Sequence, residues 1–187
     1  MRNLKTSMSV LALTWIALSL SSCASMDNGG YSARNNSALM SGFGSYESRL
    51  PQSINTNGRK TILIDPNVHA WGAYGADGRL VRAGIATAGG NWCPDIGRSC
   101  RTASGTFSIQ SLGGPECKSS LYPRPNGGAP MPYCMFFHGS QGLHGSVPVA
   151  VVEDNVSHGC VRTQISDAEW IRYNFANVGT RVIVRPY

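Results

Sequence analysis

The sequence predicts a mainly β domain carrying one or two short helices. Short runs rich in β-branched and aromatic residues recur between Gly, Pro and Asn breaks from residue 61 to residue 186. An Asp-Gly pair, Asp77-Gly78, stands between two of these runs, and Asp-Gly accepts the positive φ that tight hairpin turns require. Apolar residues follow helical spacing in one stretch only, Ser166 to Phe175.

The elements follow in order. "TILID" (61–65) and "HAWGAY" (69–74) read as strands, and "ADGR" (76–79) as the turn into a third, "LVRAGIAT" (80–87). "GTFSIQ" (105–110), "YCMFF" (133–137) and "RVIVRP" (181–186) continue the pattern. "VPVAVVE" (147–153) has β composition but equally suits a packed loop. In the helix, Ser166 and Glu169 have the spacing of an S-x-x-E capping box, and Trp170, Ile171 and Phe175 supply the apolar face.

Domain organisation is read from the N-terminus. Arg2 and Lys5 precede an uncharged apolar run from Met8 to Leu20, too short for a membrane span and suited to a secretory leader. "LSSC" (20–23) resembles a bacterial lipobox, which implies a signal peptide over 1–22, lipid on Cys23 and a membrane anchor. An ordinary leader cleaved nearby would instead leave Cys23 as a stray thiol. Ala24 follows Cys23 where an aspartate would favour inner-membrane retention, so the expected location is the periplasm, lipid-anchored at the outer membrane. Residues 23–58, rich in Ser, Asn and Gly, read as a tether, and 59–187 as one domain. The formal charge of +6 falls by two when Arg2 and Lys5 are removed, and the remaining basic residues are scattered. This suits an anionic surface and excludes the striped basic face of a nucleic-acid binder.

The six cysteines stand at 23, 93, 100, 117, 134 and 160. With Cys23 assigned to lipid, an odd number remains in an oxidising compartment, which points to a reactive thiol. Pairing Cys93 with Cys100 and Cys117 with Cys134 closes two Pro/Gly-containing loops and leaves Cys160 free; the alternative puts Cys160 in a bridge and frees another. Cys160 lies in "NVSHGCVRT" (155–163). A thiol attacks a carbonyl as thiolate, so it needs a base, and His158 and His144 are both candidates that spacing alone does not separate. Gly159, without a Cβ, lets backbone amides converge beside the nucleophile as an oxyanion hole. Arg162 offers a forked cation for a carboxylate, or pairs structurally with Asp154 or Asp167.

"HGSVPVAVVEDNVSHGCVR" (144–162) resembles the signature of the L,D-transpeptidase (YkuD-like) family: His-Gly, a spacer, then Ser-His-Gly-Cys, a hydrophobic residue and Arg. "TASGTFSI" (102–109) is similar to the family's T-P-x-G-x-F strand, with Ala103 in place of proline, and "GTRVIV" to its last strand. The resemblance implies a β-sandwich-like domain acting on peptidoglycan stem peptides, with no cofactor or metal. Cys160 would attack the carbonyl of diaminopimelate, release D-Ala and hold the peptide as a thioester. His144 would be the base, with its imidazole oriented by the Gly145 carbonyl. The Gly159 and Cys160 amides would line the oxyanion hole, His158 would shape the site, and Arg162 and Ser157 would face the substrate. An amine of another stem peptide or of an outer-membrane protein would resolve the acyl-enzyme, or water would, making an L,D-carboxypeptidase.

Other readings stand beside this one. His138-Gly139 gives the motif a second register six residues upstream, though "GLHG" better matches the family's His-Gly context. His138 and His69 otherwise read as side chains satisfied by local hydrogen bonds, Ser157 as a turn residue, and Trp92 and Tyr122 as cleft lining or packing. His138, His144, His158 and Cys160 could form a zinc site in a metal-binding lipoprotein, but no H-x-x-x-H or C-x-x-C spacing is present. A non-catalytic wall-binding lipoprotein is the third class.

Overall fold

"TILID" is apolar between its terminal Thr61 and Asp65, and all five of its residues are buried. A strand of that composition needs cover on both faces. The computed structural model describes residues 45–187 and supplies that cover. The expected leader, Cys23 and the tether up to residue 44 lie outside the described residues. The strands are β1 (Thr61–Asp65), β2 (Ala70–Tyr74), β3 (Leu80–Ile85), β4 (Gly105–Ser108), β5 (Ser111–Leu112), β6 (Met135–His138), β7 (Gln141–Ser146), β8 (Val161–Gln164) and β9 (Arg181–Val184). They form a five-stranded sheet in the order β3-β2-β1-β9-β4 and a four-stranded sheet in the order β5-β6-β7-β8. Pairing is antiparallel except for β1 with β9 and β7 with β8, which run parallel.

Period-two alternation divides the first sheet between two cores. Ile62, Ile64, Val182 and Val184 face the second sheet and meet Met135, Phe137, Leu143 and Val161 from it. Trp71 lies in the same layer and donates its indole Nε1–H to Thr163 Oγ1 at 2.8 Å, a buried polar bond between the sheets. Leu63 and Ile183 face the other way, into a smaller cluster with Ala70, Tyr74 and Leu50. Residues 45–58, expected in the tether, build the cover of that cluster. Tyr46–Arg49 form a 3-10 turn, Leu50 is buried, and Ile54 packs beside it. The Ile54 amide bonds to the Gly78 carbonyl at 2.9 Å, and Ser53 bridges Arg79. Packing therefore begins before Arg59, because an apolar sheet face recruits whatever nearby chain can cover it.

The helix α1 (Ile165–Trp170) continues as a π turn through Ile171–Phe175, so the segment from Ser166 to Phe175 is helical as expected. Ile171 and Phe175 are buried in the main core, and Trp170 packs partly against it. The capping box does not form. The N-cap is Gln164, without a side-chain bond, because the chain passes from β8 straight into the helix. Glu169 instead accepts the Tyr133 hydroxyl at 2.9 Å. "VPVAVVE" is a loop, with a 3-10 turn at Pro148–Ala150. Strands β5, β7 and β8 fall where short length and Gly- or His-containing sequence hid them.

Candidate active site

Parallel pairing of β7 with β8 assembles the site. The register sets His144 opposite Arg162 and Leu143 opposite Val161. Cys160 stands one residue before β8, on the same side of its backbone as Arg162 by strand alternation. Its sulfur lies over the tight β6–β7 turn, 3.5 Å from the Ser140 carbonyl. The Gly142 amide also points at it and favours the thiolate, as does the Arg162 charge, but burial outweighs both and pushes the thiol pKa up.

His144 is 5 % exposed. Its Nδ1 lies 2.8 Å from the Gly145 carbonyl oxygen, which can only accept, so Nδ1 carries the proton and Nε2 keeps its lone pair. Burial pushes the imidazole pKa down to about 4, the Arg162 charge adding to the effect and the Gly145 bond opposing it. Thiol and imidazole are thus both neutral at rest. Gly145 has a second role: a Cβ there would lie 2.9 Å from Ile165 Cα, where α1 begins against β7.

The turn before Cys160 is tied down from several sides. The buried Ser157 hydroxyl donates to the Cys160 carbonyl, and the Gly159 amide donates to Ser157 Oγ at 3.1 Å. Gly159 has φ +116°, and a Cβ would meet Gln141 Nε2 at 2.9 Å, so only glycine suits the position. This corrects two expectations. Ser157 holds the turn before Cys160, its hydroxyl committed to backbone, and the Gly159 amide is spent on Ser157, so of the two amides expected to line an oxyanion hole only that of Cys160 is not committed to Ser157. His158 is held from outside: its Nε2 lies 2.8 Å from the Asp95 carboxylate, and its ring stacks on Tyr122 with centroids 4.5 Å apart. It is a wall of the site, bonded away from the sulfur.

Arg162 is half-buried and, among the described residues, has no ion-pair partner. Asp167, one expected partner, is held by Arg82 at 2.5 Å. His144, His158, Cys160 and Arg162 all border one cavity of about 750 Å³, walled further by residues 118–122 and by Val147, Ala150 and Ile165. The acidic side chains of the described residues lie outside its lining, so the cavity suits an anionic ligand. His138 is exposed at the end of β6, its ring 4.9 Å from that of Phe107 and outside the cavity. The four zinc candidates therefore do not converge. Cys93, Asp95 and His158 do come together, but the Cys93 sulfur is in a disulfide.

Residues 59–184 match the L,D-transpeptidase catalytic domain family, YkuD. The chain belongs to that family. Among solved structures, an L,D-transpeptidase of Xylanimonas cellulosilytica is similar at 25% identity and a TM-score of 0.59, over 74% of this chain and 66% of that one. One from Mycobacterium tuberculosis H37Rv shares the fold at 20% identity and a TM-score of 0.55, over 68% of this chain and 58% of that one. L,D-transpeptidase 3 of M. tuberculosis, solved with a faropenem-derived adduct, shares it at 22% identity and a TM-score of 0.54, over 68% and 60% of the two chains. This chain thus spans about 58% to 66% of the length of those chains. No curated protein matches it.

Within the family frame, the cysteines divide as expected: Cys93 with Cys100, Cys117 with Cys134, and Cys160 free. Several contacts that organise the site went unread in the sequence, although Thr102 itself opens the family-like strand. Thr102 Oγ1 donates to the Gly159 carbonyl at 2.9 Å, and the Tyr187 hydroxyl joins Thr102 to Gly89. The Gln141 side chain donates to the Arg101 carbonyl at 3.0 Å and accepts the Ala103 amide at 2.8 Å. The Ala103 departure from the family's proline was the readable signal there, since proline has no amide proton to give. His69 corrects the expectation of local satisfaction: its buried Nδ1 has no partner among the described residues.

Proposed function

We propose that this protein is a cysteine-dependent L,D-transpeptidase acting on peptidoglycan stem peptides. The observation that carries the reading is the convergence on one cavity of a free thiol, a buried neutral imidazole with its Nε2 lone pair available, and a half-buried arginine with no ion-pair partner among the described residues. In the first half-reaction His144 Nε2 takes the Cys160 proton as the sulfur attacks the diaminopimelate carbonyl that precedes terminal D-Ala. The Cys160 amide stabilises the oxyanion of the tetrahedral intermediate. The C–N bond then breaks, the imidazolium gives its proton to the departing D-Ala amine, and a thioester remains on Cys160. Since burial disfavours both thiolate and imidazolium, proton transfer accompanies attack rather than preceding it.

In the second half-reaction an amine attacks the thioester, His144 accepts its proton, and the sulfur leaves. A diaminopimelate amine of a second stem gives a direct cross-link, and a lysine of an outer-membrane protein gives an anchored protein. Water in the same position gives a carboxypeptidase. Arg162 holds a stem-peptide carboxylate through its guanidinium fork. The domain works in the periplasm, tethered by lipid on Cys23, which is the reading that the leader and lipobox support.

The test is mass spectrometry of the protein incubated with a disaccharide tetrapeptide and, separately, with a carbapenem. A thioester and a drug adduct should map to the peptide containing Cys160, with D-Ala released. Cys160→Ala should lose both. His144→Ala should abolish acylation, whereas His138→Ala should retain it. An adduct at Cys160 that survives His144→Ala but not His138→Ala would reverse the assignment of the base. Muropeptides from a deletion strain identify the acceptor.

A further inference from the structure

Asp95 takes no part in the chemistry above, yet it is the group to which His158 is bonded. Both carboxylate oxygens lie close to His158 Nε2, at 2.8 and 2.9 Å. The imidazole also stacks on Tyr122, with the planes tilted by 41°. Asp95 lies inside the loop closed by Cys93 and Cys100, and Tyr122 inside the loop closed by Cys117 and Cys134. Two disulfide loops that share no strand therefore meet at one side chain, and that side chain is two residues from Cys160.

The two loops differ in what holds them. The first is anchored on the nucleophile turn itself: Cys100 Sγ sits 3.2 Å from the Ser157 carbonyl oxygen. The second provides a whole wall of the cavity, from Lys118 to Tyr122 and from Ala129 to Met131. Its hydrogen bonds beyond its base are mostly to itself, as in Ser119 to Ala129 and Ala129 to Tyr122, both 2.9 Å. Tyr122 is where this wall touches the turn that presents the thiol.

We propose that the Asp95–His158–Tyr122 stack clamps the second disulfide loop onto the nucleophile turn, and that Asp95 is a positioning residue that fits the cavity to the donor peptide. The clamp stands on geometry alone; its consequence for the peptide rests on the acylation reading above. A wall already held in place spares the substrate the entropy of ordering it, so the clamp acts on binding more than on the chemical step. The Asp95 and His158 side chains are 55 % and 30 % exposed, so the pair is not a large contributor to folding stability.

The test uses the full oxidised chain with Asp95→Ala, Asp95→Asn, Tyr122→Ala, Tyr122→Phe and the double variant Asp95→Ala/Tyr122→Ala. Alkylation of Cys160 is followed by peptide mapping with iodoacetamide, which is small, and with a bulky polyethylene-glycol maleimide. Loss of the clamp should raise the bulky-to-small rate ratio about twofold to fivefold, the range that an exposed pair can supply. Tyr122→Phe keeps the ring and should keep the ratio. The double variant should go no further than either single one, because both act through the His158 ring. With the tetrapeptide, KM should rise by a similar factor while kcat changes far less. An unchanged ratio in both Asp95 variants, or single effects that multiply in the double variant, would overturn the clamp. If the wild-type protein releases no D-Ala, the acylation reading fails, and the alkylation ratios still decide the clamp.

Discussion

His144 and Cys160 are each pushed by burial toward the neutral form, and this separates the site from one that stores a thiolate–imidazolium pair. The acid limb of kcat/KM for D-Ala release should then fall near pH 4, where burial has placed the imidazole, well below an ordinary histidine. Protonated His144 cannot take the thiol proton, so activity is lost as pH falls through that value. A limb near pH 6.5 would show that the imidazole is solvated in the working enzyme. Stability carries the same sign. Between the folded value of about 4 and the unfolded value of 6.5, the unfolded chain binds the extra proton. Stability is therefore full above pH 6.5 and declines below it, by about 2 kcal/mol on reaching pH 5 from this one group. Urea unfolding of wild type against His144→Gln measures it, and equal pH slopes in the two proteins would refute it.

At the scale of elements, the segment from Tyr46 to Ile54 is a working part of the first sheet. Leu50 fills the cluster beneath it with Leu63 and Tyr74, so Leu50→Ala should cost about 2–3 kcal/mol in denaturant unfolding. Deleting residues 45–58 should expose the outer face of β1 and β9 and produce an aggregation-prone protein. The strand-to-strand bond of Trp71 is equally local in effect. Trp71→Phe leaves Thr163 Oγ1 buried without its donor and should cost about 1–3 kcal/mol. Ala103→Pro removes the amide that holds Gln141, and through Gln141 the backing of Gly159. Acylation of Cys160 should slow while the fold persists; an unchanged rate would show that Gln141 needs no second anchor.

Across the described residues, the two sheets enclose the main core and a smaller cluster lies behind the first sheet, and the loops above the sheets are stapled because they bury little of their own. Cys117 and Cys134 close a loop with a sequence separation of 17. On the chain-entropy account, replacing both by serine should cost about 3 kcal/mol. Because that loop is a cavity wall, the same double variant should also weaken peptide use more than carbapenem acylation. Equal losses on the two substrates would mean that the bridge serves folding alone.

The sequence by itself determined the mainly β class and the helix after Ser166, and it made two loop-closing bridges with a free Cys160 the expected division of the cysteines, which the structure then showed. It also determined the motif that names Cys160, His144 and Arg162. These are local properties: strand and helix periods, loop composition, and chemistry written within a few residues. The sequence favoured His144 over His138 by its context, and only the tertiary structure showed which of them lines the cavity with Cys160, because register sets His144 opposite Arg162 while His138 lies exposed at the end of β6. It left Arg162 without an ion-pair partner among the described residues by giving Asp167 to Arg82, an assignment across 85 residues that no spacing encodes. It spent the Gly159 amide on Ser157, and it turned part of an expected tether into core cover. Asp95, Gln141 and Tyr187 act across comparable separations, and a polar residue in a loop carries no sign of its distant partner until the sheets have closed.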